Sequence, residues 1–216
     1  MKPEKRVPLD RGRVADTALR LLNEVGLEGL TLRAIARELD VQAPALYWHF
    51  KDKQALLDEM ATEMYRRMAA GAALDPADTW RERLLKVNRG LRDALLGYRD
   101  GARVFSGSRF TGADHGPELE ANLRLLTESG FTLAQAVHAG RTTHLYTLGF
   151  VTEEQGARPL PDERREGYDL TERARRLAEY PLAAEAGELL FTDYDRQFEE
   201  GLDLLLAGIA ARYGVG

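Results

Sequence analysis

The sequence contains no cysteine among its 216 residues. That absence excludes disulfides, zinc ribbons, cysteine-ligated iron–sulfur clusters and thiol catalysis. No apolar run reaches the roughly 18 to 20 residues that a membrane-spanning helix needs. The basic residues near the start are not followed by the apolar stretch of a secretory signal. Together with 30% charged residues, these absences predict a cytoplasmic protein with no membrane partner.

Two further patterns are missing. No segment alternates apolar and polar residues between turn signals, as a half-buried strand does. The sequence also lacks G-x-S-x-G, H-E-x-x-H, a phosphate-binding P-loop and a dinucleotide fingerprint. We therefore expect a chain that is not an enzyme and that needs no cofactor.

The charge is distributed unevenly. The whole chain has 30 Lys+Arg against 35 Asp+Glu, a net charge of −5, which by itself argues against binding to phosphate groups. Residues 1–53, however, carry a net charge of +2 and the remainder −7. Such an asymmetry favours an anionic partner for the amino-terminal part, although a difference of this size also occurs by compositional chance.

Apolar residues recur at helical spacing throughout, which predicts an all-α fold. A first helix over 11–25 ends at Gly26, because glycine suits the position after a helix. The last helix is predicted over 186–212, and the charged stretch 153–167 is predicted to be a long loop. We divide the chain into an amino-terminal three-helix unit, residues 1–53, and a larger helical body, residues 54–216.

Two short predicted helices, 32–39 and 43–49, are separated only by a turn, which is the spacing of a helix-turn-helix. Thr31 is placed to cap the first, and Pro44 suits the first turn of the second. Asp40 stands in the turn, where a residue that tolerates left-handed backbone is needed. Asp52 is placed to cap a fourth helix. The second short helix would enter the major groove and present its early residues to the bases.

The aromatic run from Tyr47 to Phe50 has two interpretations. It either closes a small hydrophobic core or contacts DNA. We expect Phe50 to be core, whereas Tyr47 and His49 differ from it in helical phase and are expected at the DNA. The predicted DNA-binding residues are Thr31, Arg33, Ala43, Pro44, Ala45, Tyr47, Trp48, His49 and Lys53.

These residues resemble those of the TetR family of transcriptional regulators, in its tetracycline-repressor branch. The resemblance is carried by LYWHFKDK within residues 18–60, and later by ALLGYRDGARV, LTESGFTLAQAV and TLGF. It spans about residues 10–212. It implies a homodimeric repressor that binds a palindromic operator in double-stranded DNA and is released by a small-molecule effector. Residues 1–53 would then be the helix-turn-helix DNA-binding domain, and residues 54–216 the helical ligand-binding and dimerisation domain. A same-fold activator, or a sensor of a housekeeping metabolite, stays open.

Residue by residue, the resemblance implies DNA contacts from Arg33, Pro44, Tyr47, His49 and Lys53. Ala43 and Ala45 depart from the family pattern, which has a glutamine and a threonine there that help to read the operator. An alanine offers only a methyl group, which suits the methyl of thymine. We therefore expect a different operator sequence.

The effector site departs from the family pattern more strongly. Phe105 stands where the resemblance implies a histidine that binds magnesium, and a phenyl ring is not a magnesium ligand. Ala69, Val87 and Leu91 replace a histidine, an asparagine and a phenylalanine, while Ser108, Arg109, Asn122 and Glu153 keep related chemistry. We expect no metal site and an effector other than the tetracycline–magnesium chelate. The predicted ligand-binding residues are Val87, Leu91, Phe105, Ser108, Arg109, Asn122, Arg141, His144 and Leu145.

Arg141 has two interpretations, as the partner of an acidic effector group or as an ion pair with Glu153. His138 and His144 are six residues apart on one predicted helix and therefore point in different directions, so we do not expect them to share a metal. In the last helix, Gly201, Leu204 and Gly208 form a second face beside the apolar stripe. This face is predicted to pack against a partner subunit.

Overall fold

A computed structural model describes residues 9–72, 74–157 and 169–216. Within these ranges every regular element is a helix, which confirms the all-α prediction. The helices are α1 (Arg11–Gly29), α2 (Leu32–Glu38), α3 (Ala43–Tyr47), α4 (Lys53–Gly71), α5 (Trp80–Leu96), α6 (Gly101–Phe105), α7 (Gly116–Glu128), α8 (Leu133–Ala157), α9 (Leu170–Arg176), α10 (Pro181–Phe191) and α11 (Tyr194–Tyr213).

Side-chain caps define the starts of the first helices. The Thr31 hydroxyl accepts the Ala34 N–H at the start of α2, and the Asp52 carboxylate accepts the Ala55 N–H at the start of α4. These bonds satisfy amides that have no partner within the helix. Both predicted caps are confirmed.

Gly26 interrupts α1 as predicted. Its φ of +67° and ψ of 175° are not helical, and the chain bends there before a last turn up to Gly29. Only glycine adopts such a conformation without steric strain. The helix that begins at Arg11 therefore ends in practice at Gly26.

The described residues form two compact units. The first contains residues 9–72 and 90–122, and the second contains residues 74–89, 123–157 and 169–216. In the first unit, α1 packs on α4 and α2, α2 packs on α3, and α4 packs on α6. In the second, α8 packs on α11 and α9 on α10.

The second unit has an aromatic core. The Trp80 and Phe131 rings meet edge to face at 5.2 Å, and Tyr146 stacks on Phe198 at 5.6 Å. The buried stripe of α11 consists of Tyr194, Phe198, Leu202, Leu206 and Ile209. Apolar side chains at this helical spacing bind α11 to the rest of the unit because each buries most of its surface.

The predicted single helix over 186–212 is wrong, because the chain forms two helices there. α10 ends at Phe191, and Thr192 is extended. Asp193 has a left-handed φ of +48°, and its side chain accepts the Arg196 N–H to start α11. The apolar stripe continues in phase across the break, so periodicity alone did not reveal it.

The predicted loop over 153–167 is also wrong in its first part. α8 continues to Ala157, and Glu154 on its last turns is buried. Residues 158–167 lie outside the described residues. The charged side chains that suggested a loop at 153–157 are therefore part of a long helix.

Two glycines in the first unit lead to opposite stability predictions. A Cβ on Gly101, at the start of α6, would lie 2.1 Å from the Leu95 carbonyl oxygen, whereas a Cβ on Gly90, inside α5, would meet nothing within 4 Å. We expect Gly101→Ala to lower the free energy of unfolding by about 1–3 kcal/mol through this backbone clash. Gly90→Ala should raise it by about 0.5–1 kcal/mol through helix propensity. Urea denaturation measures both, and equal effects would contradict the packing described for Gly101.

Candidate nucleic-acid interface and effector region

The two short helices α2 and α3 are joined by a turn in which Asp40 has a left-handed φ of +52°. The predicted role of Asp40 is thus confirmed. Ile35 on α2, Leu46 on α3 and Phe50 after it are completely buried. These side chains fix the angle between the two helices, because an apolar core of this size tolerates few arrangements. Phe50 is core, as predicted.

Two aromatic residues at the carboxyl end of α3 are strongly exposed. Trp48 is 90% exposed and Tyr47 is 55% exposed. Large aromatic side chains placed side by side in solvent are unusual unless they contact a partner. The structure thus separates the aromatic run into an inner residue, Phe50, and two outer residues.

Of the other predicted DNA-binding residues, four are exposed and three are half-buried. Arg33 and Pro44 are exposed, and Ala43 and Ala45 are half-buried. Thr31 is exposed, with its hydroxyl used in the α2 cap. Lys53 is exposed, and its ammonium donates to the Leu27 carbonyl at 2.9 Å.

His49 is half-buried at the end of residues 43–49, which we call the recognition segment, and its backbone carbonyl accepts a 2.6 Å hydrogen bond from Arg11. The Arg11 guanidinium also lies 4.6 Å from the centre of the Phe50 ring. Arg11 therefore holds the segment after α3 in place through one hydrogen bond and one cation–π contact. Arg11 was not among the residues predicted from the sequence.

Five predicted effector residues lie in the first unit. Leu91 on α5 and Phe105 on α6 are buried, and Asn122 on α7 is half-buried. The Ser108 hydroxyl donates to the Val104 carbonyl at 2.7 Å. Arg109 is exposed, and its backbone N–H donates to Asp58 at 3.0 Å.

Phe105 belongs to an aromatic cluster that was not predicted from the sequence. Its ring lies 5.7 Å from that of Phe110, which in turn lies 4.9 Å from Tyr65 and 5.2 Å from His115. Burial, together with a hydrogen bond to Glu118, raises the pKa of the Tyr65 phenol. The phenol thus stays protonated and donates to Glu118 at 2.6 Å. Phe110, Tyr65 and His115 are separated along the chain, so no local pattern pointed to them.

Four predicted effector residues lie in the second unit. Val87 on α5 and His144 on α8 are half-buried, while Arg141 and Leu145 on α8 are exposed. A buried polar pair also joins α5 and α8 in this unit, because the Thr147 hydroxyl donates to the Asn88 side-chain oxygen at 2.8 Å. Since the nine predicted residues divide between two units, their assembly into one pocket stays a prediction.

His144 gives stability a dependence on pH. Burial, and secondly the positive charge of Arg141, lower the pKa of His144. The unfolded chain therefore binds more protons than the folded chain around and below the usual histidine pKa of about 6.5, and we expect stability to fall as the pH drops through that value. We expect His144→Gln to reduce this loss of the free energy of unfolding at low pH, measured by urea denaturation at a series of pH values. His138→Gln, which removes an exposed imidazole from the same helix, is the control. Identical pH profiles for wild type and His144→Gln would contradict the prediction.

The α5–α6 turn docks on the end of α1 within the first unit. The Asp100 carboxylate accepts the Leu27 N–H at 2.8 Å, and the Arg99 N–H donates to the Asn23 side chain at 2.8 Å. Arg103 of α6 contacts both Asp100 and Glu28. The start of α6 is thereby tied to the helix that precedes the helix-turn-helix.

Two further features concern metal ions and membranes. Among residues 9–72, 74–157 and 169–216, no three His, Asp or Glu side chains are grouped to hold a metal ion. None of the helices in these ranges combines the length and the apolar character required to cross a bilayer.

Comparisons with known proteins agree with this geometry. The family of bacterial regulatory proteins named tetR matches residues 14–60, and the tetracyclin repressor-like carboxy-terminal domain matches residues 72–213. The class A tetracycline repressor protein from transposon 1721 of Escherichia coli is 40% identical over 209 residues, which cover 92% of this chain and 89% of that protein.

Solved structures are similar over nearly the full length. A variant of TetR from Acinetobacter baumannii in complex with minocycline is 36% identical, with a TM-score of 0.74, and 95% of this chain and 99% of that chain are covered. The Mycobacterium smegmatis protein BioQ, crystallised with its double-stranded DNA operator, is 32% identical, with a TM-score of 0.66 and coverage of 94% and 99%. With both domain families matched and such a relative covered almost completely, the chain belongs to the tetR family of bacterial regulatory proteins.

Proposed function

We propose that the chain is a ligand-responsive transcriptional repressor that acts as a homodimer in the cytoplasm and has no catalytic activity. Residues 1–53 bind one half of a palindromic operator, and residues 54–216 bind the effector and the partner subunit. The observation that carries the proposal is the helix-turn-helix with Tyr47 and Trp48 exposed beside a buried core. In such a homodimer, the two helix-turn-helix units would bind operator half-sites about 34–36 Å apart.

The predicted DNA-binding residues would have two different roles. Lys53, at the start of α4, suits a phosphate contact, which positions the protein without reading sequence. Arg33 suits a guanine edge or a phosphate, since a guanidinium binds both. Ala43 and Ala45 contribute only methyl groups, so the operator differs from that of relatives with polar residues there.

Homodimer formation is supported by exposed apolar side chains in the second unit. Leu204 on α11 is 74% exposed, and Leu133 and Val137 on α8 are also exposed. Gly208 on α11 is open as well. Gly201 has a different role from the predicted one, because a Cβ there would lie 2.2 Å from the Tyr146 hydroxyl of the same subunit. Exposed apolar side chains such as those on α8 and α11 are typical of a surface that packs against a second copy of the chain.

We expect tetracycline with magnesium not to release the repressor from DNA. Phe105 is buried among aromatic rings, where the resemblance places a histidine on the metal. Without that nitrogen, magnesium loses its direct protein ligand. The measurement is a gel shift of the bound operator with drug and magnesium added. Release at micromolar drug would contradict this assignment of Phe105.

The experiment that tests the proposed regulation extends the same gel shift to a panel of aromatic, polyketide-like and other antibiotics. We expect at least one class to release the DNA, and the released complex to rebind when the compound is removed. Matched samples with bovine serum albumin exclude direct effects of the compounds on DNA migration. A panel without any release, together with tight DNA binding, would contradict regulation by such ligands.

A further inference from the structure

A buried carboxylate on α4 joins two distant segments of the first unit. Glu59 is only 4% exposed. Its Oε2 accepts the Arg11 Nε–H at 2.7 Å and the Thr111 hydroxyl at 3.1 Å. Its Oε1 lies 3.6 Å from the Arg66 guanidinium. One carboxylate oxygen therefore connects residue 11, at the start of α1, to residue 111, in the segment between α6 and α7.

On one side, the connection reaches the recognition segment. Arg11 donates with Nε to Glu59 and with Nη1 to the His49 carbonyl at 2.6 Å. Because the guanidinium is planar and rigid, fixing one of its nitrogens fixes the direction of the other. Glu59 thereby orients Arg11, which holds the segment after α3 through the His49 carbonyl and the Phe50 ring.

On the other side, the connection reaches the loop 109–111. The Thr111 N–H donates to the Thr62 hydroxyl at 2.9 Å, and the Arg109 N–H donates to Asp58 at 3.0 Å. Asp58, Glu59 and Thr62 lie within about one turn of α4, so the loop is seated on a single site of that helix. The loop directly follows Phe105 and Ser108, two of the predicted effector residues.

We propose that Glu59, Arg11 and Thr111 form a polar relay that positions the recognition segment according to where the loop 109–111 lies. The relay rests on the proposed function and deepens it, because it names a route by which the loop affects DNA affinity. A buried carboxylate that loses one hydrogen-bond partner has a higher free energy and shifts towards its remaining partners. The contacts of the Glu59 Oε2 atom to Arg11 and to Thr111 therefore depend on each other. If α4 acted instead only as a packed support, the loop contact would have no effect on α3.

Thr111→Val tests the relay because it removes only the hydroxyl and changes a residue outside the DNA-binding face. With the DNA fragment that wild type binds, we expect Kd to rise about fivefold, a coupling typical of groups in one network. Thr111→Ser keeps the hydroxyl and should bind as wild type. Thr152→Val is the matched control, since that exposed hydroxyl donates to the Leu148 carbonyl of its own helix.

A double-mutant cycle separates the relay from two independent effects. Arg11→Met is expected to weaken binding, and Arg11→Met with Thr111→Val should bind no more weakly than Arg11→Met alone. If the fold-change in Kd of the double variant equals the product of the two single fold-changes, the relay is overturned. A change in Kd below about twofold for Thr111→Val would also overturn it.

Hydrogen exchange gives a readout that does not require DNA. In the full chain, Thr111→Val should speed exchange of the Phe50 N–H, which donates to the Leu46 carbonyl, while Thr111→Ser and Thr152→Val should not. Unchanged exchange at residues 46–50 would overturn the relay. If wild type binds no DNA, the proposed function fails, and this exchange experiment alone decides on the relay.

Discussion

The double variant Arg33→Ala/Tyr47→Ala should bind operator DNA at least about 100-fold more weakly than wild type, because each base or phosphate contact contributes about 1–3 kcal/mol. Both side chains are exposed, so their removal takes nothing from the folded core. In a homodimer the loss occurs in both half-sites. Fluorescence anisotropy with labelled operator measures Kd.

The matched control is Arg37→Ala with Val25→Ala, which removes one exposed arginine and one exposed apolar side chain outside the predicted DNA-binding set. We expect the control to bind within about threefold of wild type, since surface changes away from an interface have small effects. An Arg33→Ala/Tyr47→Ala protein that binds like this control would show that the reading face lies elsewhere.

The second large effect concerns stability rather than binding. Phe50 is completely buried, and replacing it by alanine should lower the free energy of unfolding by about 3–5 kcal/mol through lost burial and a cavity. Trp48 is larger but 90% exposed, so Trp48→Ala should change that free energy by no more than about 0.5 kcal/mol.

Denaturant titration followed by circular dichroism measures both free energies, and the same two proteins can be tested for DNA binding. Trp48→Ala is expected to remain folded and bind DNA poorly. A large loss of stability in Trp48→Ala, or a small one in Phe50→Ala, would reverse the division of the aromatic run into inner and outer residues.

Features that depend on a few neighbouring residues were predictable from the sequence. The caps at Thr31 and Asp52 each use a side chain and an amide three residues later. The left-handed Asp40 and the bend at Gly26 follow from the conformations that these residue types tolerate. Such features together predicted the helix-turn-helix, because its geometry is almost entirely local.

Features that depend on contacts far apart in sequence were not predictable. Arg11 and Glu59 are separated by 48 positions, and Glu59 and Thr111 by 52, so no spacing rule joins them. The aromatic cluster around Phe110 has the same origin. The break at Asp193 could not be predicted for a different reason. The apolar stripe keeps its helical phase from α10 into α11, so the sequence pattern is the same as that of one unbroken helix.

The most direct test of the proposed repressor function is a titration of the wild-type chain against DNA from its own upstream region at two salt concentrations. We expect two subunits per operator and an affinity that falls at least about a thousandfold between 50 and 200 mM salt, because phosphate contacts release counterions. If no upstream fragment is bound even at low salt, the chain is not a repressor of its own region, and its exposed Tyr47 and Trp48 have another partner.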